Sequence, residues 1–136
     1  MKLPVRVYYQ DTDAGGVVFH AQYLAFMERA RTELLNAAGL DLAHIAEKQR
    51  VLFLVYELKV RYHQPARLNE SLAVTAEVAR MGRASLLFRQ RVERASELLV
   101  EGDVTVALVD RDRMRPARMP EELAAALDAV HTKALK

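Results

Sequence analysis

The stretch Asp11-Thr12-Asp13-Ala14-Gly15-Gly16-Val17-Val18-Phe19-His20, running straight into Ala21-Gln22-Tyr23-Leu24-Ala25-Phe26-Met27-Glu28-Arg29-Ala30-Arg31, decides how the chain is read. Within it a polar, glycine-bearing segment gives way to an apolar pattern of helical period. From about residue 20 to residue 38, Tyr23, Leu24, Phe26, Met27, Ala30, Leu34, Leu35 and Ala38 fall on one side of a wheel drawn at about 100° per residue and cover roughly half of it. Glu28, Arg29, Thr32, Glu33 and Asn36 take the other side. A stripe that wide suits a helix embraced by a curved sheet better than one resting on a flat surface. Gly39 stands where a left-handed residue closes a helix. Arg31 intrudes into the apolar arc, either as a snorkelling side chain or as half of a buried ion pair at a subunit contact.

Upstream, residues 3–9 read as a strand with Val5, Val7 and Tyr9 on one face. Downstream comes a short helix over residues 41–48, then four strands over 51–63, 72–80, 85–94 and 98–110. Their inward sets include Leu72, Val74, Ala76 and Val78, then Leu86, Phe88, Gln90 and Val92, then Val104, Val106 and Leu108. Gly102 suggests a bulge in the last strand. A basic connector over 111–119 leads to a closing helix over 120–132, with Pro120 at or just before its first turn. One early helix followed by consecutive strands predicts an α+β fold with an antiparallel sheet. No repeat or internal boundary is visible, so residues 1–136 are expected to form a single domain.

Composition narrows the function classes. Half of the chain is hydrophobic (51%), enough for a sizeable core, and the net charge of +2 comes without any polybasic block. That argues against nucleic acid as the main ligand. There is no cysteine, hence neither a disulfide nor a thiol-based metal or redox site. His44, His63 and His131 have no metal-ligand spacing, and no metal is expected. No apolar run is long enough to span a bilayer and no leader is recognisable, so a cytoplasmic location is expected.

The chemistry-bearing residues are in the opening stretch. Two carboxylates flank Thr12, two glycines follow, and a helix begins just beyond. The Gly15-Gly16 pair frees the backbone for a tight turn. Unpaired N–H groups at a helix start carry partial positive charge and can hold an oxygen that becomes an anion in a transition state. A carboxylate upstream can then stand on the attack side of a carbonyl, which makes a workable acyl-transfer site. The same residues also fit a plainer reading, an Asx turn plus a helix cap, with His20 as a capping or core histidine.

The motif resembles the signature of the 4-hydroxybenzoyl-CoA thioesterase group of hotdog proteins, and within it the Tol-Pal-associated, YbgC-type branch of acyl-CoA thioesterases. The matching residues are Val5, Tyr8-Tyr9, Asp11 through Val18, His20 and Glu28-Arg29-Ala30-Arg31. Weaker similarity extends to Tyr62, Pro65 to Leu68, Ser85, Phe88, Gln90-Arg91 and Pro116. The resemblance implies a hotdog fold, a long central helix wrapped by a five-stranded antiparallel sheet. It also implies dimers joined edge to edge, often paired into homotetramers, with active sites at the subunit interface. It places the nucleophile or general base on Asp13 and the carbonyl-binding helix-start amide on His20, whose ring adds polarisation or shapes the turn. Gly16 and Val17 fall in the loop that meets the acyl group. Asp11 shapes the turn, while Arg83, with Arg80 nearby, aligns with a basic stretch that contacts CoA phosphates. Gln10 and Phe19 depart from the residues common in relatives, Glu and Tyr, and bear on acyl preference or local hydrogen bonding.

The implied reaction is hydrolysis of an acyl-CoA, with CoA entering as part of the substrate and no separate cofactor. Acyl carrier protein is an alternative carrier. Two rival functions are a hotdog dehydratase pairing His20 with Glu28 or Glu33, and a non-catalytic acyl-thioester binding module.

Overall fold

Among the described residues, six antiparallel strands wrap one long helix. The computed structural model describes residues 1–131. In chain order the elements are β1 (Lys2–Arg6), α1 (Gln22–Ala37), α2 (Leu42–Lys48), β2 (Val51–Tyr62), β3 (Ser71–Thr75), β4 (Glu77–Met81), β5 (Ser85–Arg94), β6 (Glu97–Asp110) and α3 (Glu121–Val130). The sheet runs β1-β3-β5-β6-β2, and β4 continues beyond β3 along β5. Its concave face packs on the α1 stripe, where Tyr23, Phe26, Met27, Ala30, Leu34 and Leu35 are all buried. Opposite them Val74, Val78, Phe88, Val92 and Val104 are essentially sealed from solvent. Each such side chain contributes about 1.5–3 kcal/mol of burial. The α+β hotdog arrangement expected from the sequence is therefore present.

The helix ends as predicted. Gly39 adopts φ +82°, and Gly39 N–H to Asn36 O with Leu40 N–H to Leu35 O close a Schellman motif at 2.9 Å each. Asp41 caps α2, its carboxylate accepting from the amides of Ala43 and His44. The closing helix begins after Pro120; the expected end at Thr132 lies outside the described residues.

Several boundaries differ from the sequence reading, each for an identifiable reason. The first strand stops at Arg6, and Tyr9 lies in a 3-10 turn over Tyr9–Asp11, exposed rather than facing the core. The Asp11 carboxylate forces that turn by accepting the Tyr8 amide at 2.8 Å. The strand expected over 72–80 breaks at Ala76, which makes six strands of the predicted five. At the break, side chains replace the ladder. The Arg91 amide donates to Thr75 Oγ1 (2.9 Å), and the Thr75 carbonyl accepts from Gln90 Nε2 (3.1 Å).

Gly102 is not a bulge, since it pairs in register with both Val60 and Gln90. A Cβ there would meet Met27 Sδ and Cε at 3.3 Å, so the missing side chain makes room for the helix. The register shifts along β6 fall instead opposite Val55–Glu57 and Val92–Glu93.

Arg31 forms no ion pair among the described residues. Its Nη1 donates to the fully buried Gln90 Oε1 at 2.9 Å, and its guanidinium lies over the Phe88 ring. Burial lowers its pKa from the usual arginine value, with Glu28 pulling the other way.

Strand β2 is an edge of the sheet, and its middle is apolar yet open. Leu54, Val55 and Leu58 are exposed, and Tyr56 is 71% exposed. A long apolar edge with unpaired backbone groups is one that natural proteins ordinarily cover.

Candidate active site

The loop between β1 and α1 is held by its own backbone. The Asp13 amide donates to Val17 O (2.8 Å), the Gly16 amide to Asp13 O (3.1 Å), and the Phe19 amide to Asp11 O (3.0 Å). Gly16 sits at φ +82°, a conformation that strains any L side chain. Behind the loop the segment after β2 gives a second support, with the Val18 amide donating to Ala66 O at 2.9 Å and Val17 bridged to Arg67.

The two aspartates have separate environments. Asp11 is buried, and its oxygens accept from the Tyr8 amide and from Gln22 Nε2 (3.0 Å). It ties the turn to the first residue of α1, which is the shaping role expected of it. Asp13 is exposed, with Oδ1 accepting from the Gly15 amide at 2.8 Å. An Asx turn is thus part of what Asp13 does. Its other carboxylate oxygen has no hydrogen-bond partner among the described residues.

The helix start differs from the predicted one by two residues. The first helical residue is Gln22, so His20 lies just outside the helix. The N-cap, Ala21, has no side chain that could accept from the first amides. Around His20 the carbonyls are occupied while the amides are not. The Phe19 carbonyl accepts from the Gln22 amide (2.8 Å), and the His20 carbonyl accepts from Tyr62 Oη (2.8 Å). Among the described residues no hydrogen bond takes up the N–H of His20 or of Ala21. Free N–H groups at a helix N-terminus attract an anionic oxygen.

Beside them is a cavity of about 300 Å³ lined by Val18, His20, Tyr23, Tyr62, His63, Gln64 and Pro65. Tyr23 and Tyr62 meet edge to face at 5.7 Å, and the buried Tyr23 hydroxyl accepts from the Ala66 amide at 2.9 Å. Burial raises the pKa of both phenols. His63 Nε2 lies 2.7 Å from Glu101 Oε2.

Asp13, Gly16, Val17 and His20 thus belong to one loop, but Asp13 does not line the His20 cavity within a single protomer. Arg83 is farther away. Its turn adjoins Ser85, which pairs through Ala107 to Leu54, whereas the cavity lies at Tyr62, about 26 Å along β2 at about 3.3 Å per residue. Arg80 lines a separate groove of about 320 Å³ on the outer sheet face with Tyr56, Lys59 and Ser85. Among the described residues no group of three or more His, Asp or Glu is arranged to hold a metal. No helix among them is long and apolar enough to cross a membrane.

Sequence reasoning did not find Tyr62 or Gln22 as parts of this site. Tyr62 reads as the last apolar residue of an alternating strand and as one position of the weaker family similarity, and nothing local shows that its hydroxyl reaches back to His20. Gln22 reads as an ordinary polar residue of the helix.

Comparison with known proteins agrees with the architecture. Residues 15–101 match the model of the thioesterase superfamily. The chain is 46% identical over 123 residues to the acyl-CoA thioesterase YbgC of Haemophilus influenzae, covering 90% of each. Among solved structures it resembles the hypothetical protein TT1821 from Thermus thermophilus, with a TM-score of 0.88 and 38% identity over 96% of this chain and 98% of that one. The 1,4-dihydroxy-2-naphthoyl-CoA thioesterase Slr0204 from Synechocystis shares the fold at a TM-score of 0.86 and 19% identity, covering 93% of this chain and 94% of that one. With the helix, its wrapping sheet and the loop between β1 and α1 all in place, the chain belongs to the thioesterase superfamily.

Proposed function

We propose that this chain hydrolyses acyl-CoA thioesters to the free acid and CoA, with Asp13 as the reacting carboxylate and the start of α1 at His20 as the oxyanion site. The observation that carries this reading is the pair of unoccupied amides at His20 and Ala21 beside an open cavity, downstream of a carboxylate with one unpartnered oxygen. Relatives 46% identical that are named acyl-CoA thioesterase or acyl-CoA thioester hydrolase support the substrate class.

In this scheme the thioester carbonyl accepts from the helix-start N–H groups, which bind it more tightly as negative charge develops on the oxygen. Asp13 attacks the carbonyl carbon, the C–S bond breaks, and CoA leaves with the electron pair as the thiolate. The resulting mixed anhydride is then cleaved by water. Alternatively Asp13 takes a proton from a water that attacks directly. Gly16 and Val17 let the backbone approach the acyl group. The scheme invokes no metal or redox cofactor, and CoA enters with the substrate; acyl carrier protein is the other candidate carrier.

The same reading makes the protein a homodimer, with a dimer of dimers as the larger assembly. The exposed apolar edge of β2 supports it, because an antiparallel partner would cover Leu54, Val55, Tyr56 and Leu58. A two-fold axis near the middle of β2 would also carry the partner's opposite sheet end toward the His20 cavity. That is how the Arg83 turn would reach CoA phosphates. The proposed location is the cytoplasm, and residues 1–136 act as one domain.

The test is thiol release across acyl-CoA chain lengths by the wild type and by Asp13→Asn. Asp13→Asn should lose at least about a hundredfold in turnover while keeping its fold. Full activity in that variant, or a wild type that is monomeric in solution, would overturn the reading.

A further inference from the structure

The residue His20 is fixed from both sides by hydrogen bonds to carbonyls, and one of the two donors is a side chain from a distant strand. A peptide unit is planar, with its C=O and N–H pointing in opposite directions. Whatever holds the carbonyl therefore aims the amide of the same unit. The Phe19–His20 unit is held by the Gln22 amide on the Phe19 carbonyl. The His20–Ala21 unit is held by Tyr62 Oη on the His20 carbonyl, at 2.8 Å.

Nothing else among the described residues holds that second unit. The Leu24 amide, which a regular helix would turn toward the His20 carbonyl, bonds Ala21 O instead, at 3.1 Å. Ala21 has no side chain to steady the turn. The donor itself is well placed. Tyr62 is the last residue of β2, its ring meets the buried Tyr23, and burial raises its pKa so that it remains a protonated donor.

We propose that Tyr62 is a positioning residue for thioester hydrolysis. Its hydroxyl holds the His20–Ala21 peptide so that the Ala21 N–H stands beside the His20 N–H as a second donor to the developing oxyanion. The inference rests on the hydrolytic reading above and adds a side chain and a second amide to it. It also ties the oxyanion site to the end of the strand whose edge is exposed.

The test is Tyr62→Phe, which removes one oxygen and leaves the ring on Tyr23. The kcat for acyl-CoA should fall about tenfold with KM within about twofold, less than the roughly hundredfold loss typical of deleting a direct oxyanion donor. A second measurement separates aiming from mere folding. In the Asp13→Asn background the carbonyl stretch of bound acetyl-CoA is read by infrared difference spectroscopy, with and without Tyr62→Phe. The added substitution should move the band back toward its value in free solution. An unchanged kcat, or a lower kcat with the band unmoved, overturns the proposal. If Asp13→Asn alone retains full turnover, the hydrolytic scheme fails whatever Tyr62 does; if it is inactive while Tyr62→Phe is unimpaired, only the positioning role fails.

Discussion

Arg31 and Gln90 meet inside the fold, Nη1 of the helix arginine donating to the amide oxygen of a glutamine with no exposed surface. The Gln90 Nε2 in turn donates to the carbonyls of Met27 in α1 and Thr75 in β3. One side chain therefore links the helix to two strands and satisfies three buried or half-buried groups. Gln90→Leu preserves volume but leaves the guanidinium without its acceptor and takes a side-chain donor from the carbonyls of Met27 and Thr75. It should cost about 2–4 kcal/mol, because a buried polar group left unpaired loses its full solvation. Urea unfolding at neutral pH measures this; a loss under about 1 kcal/mol would show that water replaces the glutamine.

Met27 and Gly102 are a matched pair of large and small. A side chain at 102 would meet the Met27 sulfur and terminal methyl at 3.3 Å. Gly102→Val should destabilise by about 1–3 kcal/mol through overpacking. Adding Met27→Ala should recover part of that loss, giving a coupling of the opposite sign in a double-mutant cycle. Strict additivity would show that backbone strain, and not the methionine, sets the cost.

Arg83 tests the composite site. In the proposed dimer its contact with substrate is an intersubunit one, since its turn and the His20 cavity lie far apart along β2 within one protomer. Arg83→Ala should raise KM for acyl-CoA several-fold and leave KM for an acyl-pantetheine, which lacks the nucleotide, nearly unchanged. Equal changes for both substrates would remove Arg83 from phosphate recognition.

Glu70 supplies a pH signature. Burial pushes its carboxyl up, but the Arg67 amide and the Arg94 guanidinium, 2.7 Å away, outweigh this and hold it below its ordinary 4.5. A folded-state pKa that is lowered gives stability present above the unfolded value and lost as pH falls through the folded one. The difference in Tm between wild type and Glu70→Gln should therefore be largest near neutral pH and shrink below about pH 4.5. A difference that stays constant down to pH 3 would assign it to packing instead.

The fold was legible because it rests on periodicity. The half-wheel stripe of α1, the alternation in β5 and the glycine ending α1 each need only neighbouring residues to be read, and all three are in the structure. Three of the misreadings share one cause. The break at Ala76, the reason for Gly102 and the partner of Arg31 all depend on a side chain from a distant element. The site divides the same way. Asp11 and Asp13 could be singled out from a short motif, whereas Tyr62 acts across the fold, 42 residues from His20.

The bare helix start at Ala21 has an engineering consequence. A designer seeking a more durable protein would place an acid there, where the positive end of α1 would favour its charge by about 0.3–1 kcal/mol. On the proposed mechanism, Ala21→Asp would bring a fixed negative charge next to the point where the reacting oxygen turns negative. Thermal endurance and catalytic speed are thus set against each other at one alanine, and improving the first would be expected to slow the second.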